Sequence, residues 1–283
     1  MATKPKTVKV TSVAEFTKQV ELLLPGGSLQ GNWYRGVGRG DSYTLRPGLF
    51  RHPTKTTLAD LMMLEARMLE DFERYSILHT GGMDISGEDA DLKKLFFMQH
   101  YGIPTRLLDW STNPFIALYF ALSTAQLPSP GSAVEDAAVW VLDPIAWNRT
   151  AMAHASYGDA GPMVHSDAMT GYGPRRLYSG GFEPTALKTL NESAACMLGI
   201  TNSVRMFAQR GVFTIFGKDT SSMEDQFRTG NYPSGTLTKL IIPSAKIGDI
   251  LSAVLRLGYT DSVSYPDLQG LAMEIKRSRG FKV

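Results

Sequence analysis

The sequence predicts an α+β fold, a mixed sheet flanked by helices, in one domain. Three observations carry this. Short apolar or alternating runs recur with turn residues after them: AAVWVL at 137–142, VFTIF at 212–216 and LTKLII at 237–242. Between them lie runs with helical spacing, clearest at 58–76, where Leu61, Leu64, Met68 and Phe72 repeat. Strands and helices do not alternate regularly, so a parallel doubly wound sheet is not expected.

Composition narrows the classes. The chain has 283 residues, 43% hydrophobic and 20% charged, enough for one large domain or two modest ones. A net charge of +2 gives no bulk electrostatic case for nucleic acid or a membrane. The single cysteine, Cys196, excludes an internal disulfide and a Cys-based zinc site, and its apolar neighbours read as a helix face. The five histidines (His52, His79, His100, His154 and His165) lack HExxH-type spacing, so no metal site is expected. No apolar run approaches the roughly 18 residues of a membrane span, and residues 1–10 lack a signal-peptide core. A cytoplasmic protein is the expectation.

The elements follow in order. Residues 1–11 read as a loose N-terminus. Ser12 caps a helix over 13–24, which Pro25-Gly26-Gly27 ends. Gln30–Arg35 reads as a strand through its Trp33-Tyr34 pair. A Gly- and Arg-rich loop follows. It places Arg35, Arg39, Arg46 and Arg51 within 17 residues, interleaved with Tyr43 and Phe50, a candidate phosphate cradle or a solvated loop of Arg–Asp pairs. Its glycines form neither a Walker A loop nor a complete GxGxxG. After the helix at 58–76 come a loop at 81–88 and a helix at 91–100. A Pro/Gly/Ser-rich loop covers 126–136. Residues 148–183 form an irregular insertion, 184–200 a loop and helix, and 219–229 a loop. Lys246–Leu257 is an amphipathic helix, and a last helix spans 270–277.

The stretch QHYGIPTRLLDWSTNPFIALYFAL, Gln99 to Leu122, organises the rest. Gly102 and Pro104 make a turn. Thr105–Trp110 is extended and holds Arg106 and Asp109. Ser111, Thr112 or Asn113 caps a helix with Pro114 in its first turn. That helix is apolar nearly all round, so it is expected to be buried with a polar N-terminus suited to an anion. The alternative is a capped core helix with Arg106 and Asp109 paired structurally.

Together these blocks resemble the FRG-domain family, named for a Phe-Arg-Gly motif that stands here as Tyr34-Arg35-Gly36. SYTLRPGLFR (42–51), HYGIPTRLLDWSTNPFIALYFA (100–121), RMFAQRGVFTIFG (205–217) and YPDLQGLA (265–272) resemble the same family. The resemblance covers about residues 12–276. More distantly, the order of motifs is similar to that of ADP-ribosyltransferases: an early-strand Arg, an aromatic followed by Ser and Thr, and a loop-to-strand Glu or Gln. Arg35, Trp110-Ser111-Thr112 and Gln209 stand in those places. This resemblance implies a mostly antiparallel sheet split around a cleft, with NAD as cofactor and an unknown protein or nucleic-acid acceptor. It implies Arg35, Ser111 and Gln209 as catalytic residues. It also implies cofactor contacts from Arg35, Gly36, Arg46, Tyr101, Arg106, Asp109, Trp110, Thr112 and Tyr119. The expected function is an NAD-dependent ADP-ribosyltransferase-like enzyme or NAD glycohydrolase, and the resemblance implies a toxin or effector of bacterial or phage conflict. Two alternatives stand: a non-catalytic nucleotide- or nucleic-acid-binding module, and a protein-interaction module. Gln209 departs from the carboxylate such enzymes use, because an amide cannot act as a base. Either another carboxylate, Asp109, Glu65 or Asp267, takes part, or the site only binds a nucleotide.

Overall fold

The computed structural model describes residues 4–24, 31–79, 86–125, 135–155, 161–164, 171–177, 181–182, 185–200, 203–281 and 283. A seven-stranded mixed sheet lies at its centre. The strands are β1 (Lys6–Lys9), β2 (Trp33–Val37), β3 (Leu107–Ser111), β4 (Ala137–Leu142), β5 (Ala195–Met197), β6 (Gly211–Ile215) and β7 (Leu237–Ile242). Their order across the sheet is β1-β7-β4-β2-β3-β6-β5. Among the described strand pairs, only the edge pair β1–β7 is parallel.

The helices are α1 (Val13–Leu22), α2 (Leu58–Tyr75), α3 (Ala90–His100), α4 (Pro114–Ser123), α5 (Pro144–Ala151), α6 (Val204–Gln209), α7 (Met223–Thr229), α8 (Ile247–Arg256), α9 (Asp261–Ser264) and α10 (Leu268–Ser278). They form two apolar layers, one on each face of the sheet. Strand β4 shows why its sequence is a continuous apolar run. Ala138, Trp140 and Leu142 pack into one layer with α2 and α3, while Ala137, Val139 and Val141 pack into the other with α1, α4 and α8.

Helix α4 is the buried element the sequence promised. Asn113, rather than Ser111 or Thr112, caps it by accepting from the amides of Phe115 and Ile116 at 2.9 and 3.4 Å. It lies so close on β2 that a Cβ at Gly36 would stand 1.9 Å from the Ala117 carbonyl oxygen. A Cβ at Gly38 would stand 2.3 Å from the Thr124 carbonyl carbon. These two glycines serve helix-on-strand packing.

Several local expectations differ from the structure. Lys6–Lys9, read as loose terminus, is an edge strand whose largely exposed charged residues hide it from hydrophobic patterning. Residues 195–197, read within a helix, form β5, so Cys196 sits on a strand, fully buried, with burial pushing its thiol pKa well up. Met223–Thr229, read as loop, is helix α7, capped by Ser222. The 25–28 turn, much of the 126–136 loop, half of the 81–88 loop and His165 lie outside the described residues, as does part of 148–183.

Candidate functional site

The sheet nearly comes apart at its middle. β2 pairs with β4 over five residues and β3 with β6 over five, yet β2 and β3 meet only at Tyr34 and Ser111. Where the ladder stops, a side chain takes over. Arg35 Nη1 donates to the carbonyl of Asp109, and Nη2 donates to Tyr43 Oη at 2.8 Å. The same guanidinium lies 3.8 Å from the Asp109 carboxylate.

A cleft of about 250 Å³ opens at this divergence. Arg35 and Gly36 of β2, Asp109 and Ser111 of β3, and Gln99 and His100 at the end of α3 line it. Phe120 of α4 and Arg205 and Gln209 of α6 line it as well. The structure thus brings Arg35, Ser111 and Gln209 to one hollow, although 174 positions separate the first from the last.

Bonds already made limit what each can do. Ser111 Oγ donates to the Gln209 carbonyl at 2.7 Å and accepts from the Asn113 amide at 2.9 Å, so the hydroxyl is spent on joining β3 to the end of α6. Gln209 Nε2 donates to the Ser264 carbonyl at 2.9 Å, which leaves Oε1 as its acceptor. The turn after it depends on Arg210, at φ +50°, the one non-glycine residue in the left-handed region among the described residues. Asp109 is half exposed, and its Oδ2 accepts from Gln99 Nε2 at 2.8 Å. Asp109, rather than Glu65 or Asp267, is the carboxylate of the cleft. Glu65 is bound to Arg106, and Asp267 caps α10 by accepting from the Gly270 amide.

Other residues implied by the resemblance lie elsewhere. Arg106 is fully buried. Its Nε donates to both Glu65 oxygens at 2.8 and 3.1 Å, Nη1 to the Phe216 carbonyl at 2.7 Å and Nη2 to the Tyr172 carbonyl at 2.9 Å. It therefore pairs with Glu65, not Asp109, and faces no ligand. Tyr119 is buried in the α4 layer and donates to Asp261 Oδ1 at 2.6 Å. Tyr101 is exposed beside a separate groove with Phe72 and Ile103. Thr112 does not line the cleft; its amide donates to the Arg210 carbonyl at 3.1 Å. Trp110 reaches the cleft, but its indole is buried and donates to Thr214 Oγ1 at 3.1 Å. Gly36 lines the cleft as the seat of α4.

The arginine cradle does not form. Arg46 Nε donates to the Thr220 carbonyl at 2.8 Å, and Arg51 donates to the carbonyls of Arg46 and Thr44. Tyr43 is held by Arg51, 4.1 Å from its ring centroid, and by Arg35 at 5.6 Å. Neither Arg39, Arg46 nor Arg51 lines the cleft. The N-terminus of α4 is likewise no free anion site, because Asn113 already takes its amides.

Sequence reasoning passed over His100 and Arg205 as site residues. Both stand in the blocks HYGIPTRLLDW and RMFAQRG, His100 at the end of α3 and Arg205 in the first turn of α6, and both line the cleft. Burial chiefly, then the charge of Arg205, holds the His100 pKa below its ordinary value, against the opposing pull of Asp109. Burial pushes the Tyr34 hydroxyl up to about 12, so it stays neutral.

The protein is an α+β domain with a charged and aromatic hollow at a break in its mixed sheet. Residues 30–129 match the FRG domain family. No curated protein and no solved structure matches. The match includes Arg35, His100, Asp109 and Ser111, whereas Arg205, Gln209 and the α9–α10 segment lie outside it. Among the described residues no helix is long and apolar enough to cross a membrane, and no cluster of His, Cys, Asp or Glu has the makings of a metal site.

Proposed function

We propose that the cleft binds NAD and breaks its nicotinamide–ribose bond, passing ADP-ribose to water or to a protein or nucleic-acid acceptor. The observation that supports this most is adjacency. β2 and β3, which bear Arg35 and Ser111, and β6, which begins two residues after Gln209, are consecutive in the sheet, and the three residues line one hollow. Bond rupture sends the electron pair out with nicotinamide and leaves positive charge on the ribose. The Asp109 carboxylate is the group that offsets this charge, in the role Gln209 cannot fill. Gln209 Oε1 is left to accept from a ribose hydroxyl, and Ser111 positions Gln209 rather than attacking.

The test is nicotinamide release from NAD by the full chain. Asp109→Asn is expected to reduce it by about 100-fold with the melting temperature unchanged. Absence of both nicotinamide release and a melting-temperature shift at millimolar NAD would overturn the proposal. A second reading, a nucleotide-binding module without turnover, is favoured by the spent hydroxyl of Ser111 and by an amide at position 209. It expects the thermal shift without nicotinamide.

A further inference from the structure

The NAD reading needs a cation for the phosphates, and the motif comparison nominates Arg35. The bonds of Arg35 argue otherwise. One arm of its fork holds the Asp109 carbonyl and the other the Tyr43 hydroxyl, and its charge is offset by Asp109 at 3.8 Å. Releasing the Asp109 arm would undo a tie that spans the gap between β2 and β3, and releasing the other would free Tyr43.

Arg205 is in the opposite condition. It lines the same cleft, half-buried, and among the described residues it has no hydrogen-bond or ion-pair partner. Its guanidinium lies over the ring of Tyr265 at 4.7 Å, a contact that orients the group and leaves its N–H edge free. Tyr265 is fixed in turn, edge-on to Phe120 at 5.6 Å. A Cβ at Gly270 would stand 1.9 Å from the Tyr265 carbonyl oxygen, so α10 is seated tightly against it. Arg277 and Tyr119 pin α9 through Asp261. The cleft thus holds one compensated guanidinium and one uncompensated guanidinium.

We infer that Arg205, backed by Tyr265, is the phosphate-binding residue of the cleft, and that the ligand is a small nucleotide carrying a phosphate or diphosphate. The planar fork of a guanidinium matches two phosphate oxygens. A cleft of about 250 Å³ walled by Phe96, Phe120 and Phe213 suits the sugar and phosphate of one nucleotide better than a nucleic-acid helix. The α9–α10 segment, outside the residues that match the family, is then part of the binding site.

Calorimetric titration of the full chain with ADP-ribose, AMP and adenosine tests this. Wild-type protein is expected to bind the two phosphates at least about 10-fold more tightly than adenosine. Arg205→Gln is expected to lose about 10- to 100-fold for ADP-ribose and AMP and nothing for adenosine, with Arg205→Lys between the two. Wild-type affinity for AMP is expected to fall with added salt while that for adenosine holds, a readout that needs no variant to fold. The inference fails if Arg205→Gln binds AMP like wild type, if adenosine binds as well as AMP, or if wild type binds none of the three. It rests on the NAD reading for its ligand class but fails separately. Nicotinamide release indifferent to Arg205 overturns this inference alone. Arg205-dependent binding without release overturns the catalytic reading alone.

Discussion

Removing the carboxylate of Glu65 is expected to be the most damaging single change among the polar residues of the core. Glu65 and Arg106 are both buried, and Arg106 joins α2 to three other segments through its Nε, Nη1 and Nη2 bonds. Glu65→Ala leaves a guanidinium charge in a dry interior with only the Phe216 and Tyr172 carbonyls for company. Breaking such a pair from one side costs about 3–5 kcal/mol, against total stabilities of about 5–15 kcal/mol. Unfolding entropy near 2.1 cal/mol/K per residue gives about 0.6 kcal/mol/K for this chain, so the melting temperature should fall by roughly 5–8 °C. Glu65→Gln keeps one acceptor for Nε and should cost about half as much. Urea unfolding at pH 7 measures both. The double variant Glu65→Leu/Arg106→Met, which removes both charges, should recover most of the loss. If Glu65→Ala and Glu65→Gln both lie within about 1 kcal/mol of wild type, the argument from burial is wrong.

Three further outcomes are expected. Gly36→Ala would drive a methyl against the Ala117 carbonyl of α4 and should cost about 2–3 kcal/mol in urea unfolding; a cost under about 0.5 kcal/mol would show that α4 can move away freely. Hydrogen bonds from Arg176 first and Lys94 second depress the pKa of Glu73 to about 2 in the folded state, from an ordinary 4.5. A depressed carboxyl contributes stability that is present above pH 4.5 and lost as pH falls towards 2. The stability difference between wild type and Glu73→Gln should therefore shrink over that window, and only modestly, since the side chain is 40% exposed and screened. The His100 ring should titrate below 6.5 by NMR, rise in Arg205→Gln and fall further in Asp109→Asn; a ring indifferent to Arg205 would separate the two groups.

The sequence disclosed elements where one physical rule dominated. Leu58–Tyr75 and Ala137–Leu142 are legible because period and burial coincide. Met223–Thr229 carried a readable start signal, Ser222 with Asp225 three residues on, that its polarity masked. The meeting of Arg35, Ser111 and Gln209 was legible from motif order. The bonds of these residues were not, because a donor's partner is chosen by tertiary packing. Arg106 and Asp109 lie three positions apart, yet alternation along β3 and the approach of α2 give Arg106 to Glu65. Tyr119 reads as a stacking surface in the sequence and proves to be a hydrogen-bond donor to Asp261. His100 and Arg205 bear no spacing signal at all. What distinguishes them is the lack of a hydrogen-bond partner among the described residues, a property that exists only in three dimensions.

The cleft and the break in the sheet have one origin. An antiparallel pair of five-residue strands would ordinarily extend its ladder, and here it stops after one pair. The carbonyl of Asp109, which a continued ladder would engage, is taken instead by the guanidinium of Arg35. Ser111, at the one paired position, turns its hydroxyl away to the carbonyl of Gln209 and so draws the end of α6 over the gap. The polar residues that the motifs single out are therefore the ones that replace backbone hydrogen bonds and hold the hollow open. Loss of activity on substituting Arg35 cannot by itself assign it to the ligand, because the same substitution removes a tie between β2 and β3. Groups without a hydrogen-bond partner among the described residues, the Arg205 guanidinium and the His100 imidazole, are the better guide to what the hollow receives, together with the exposed Asp109 carboxylate.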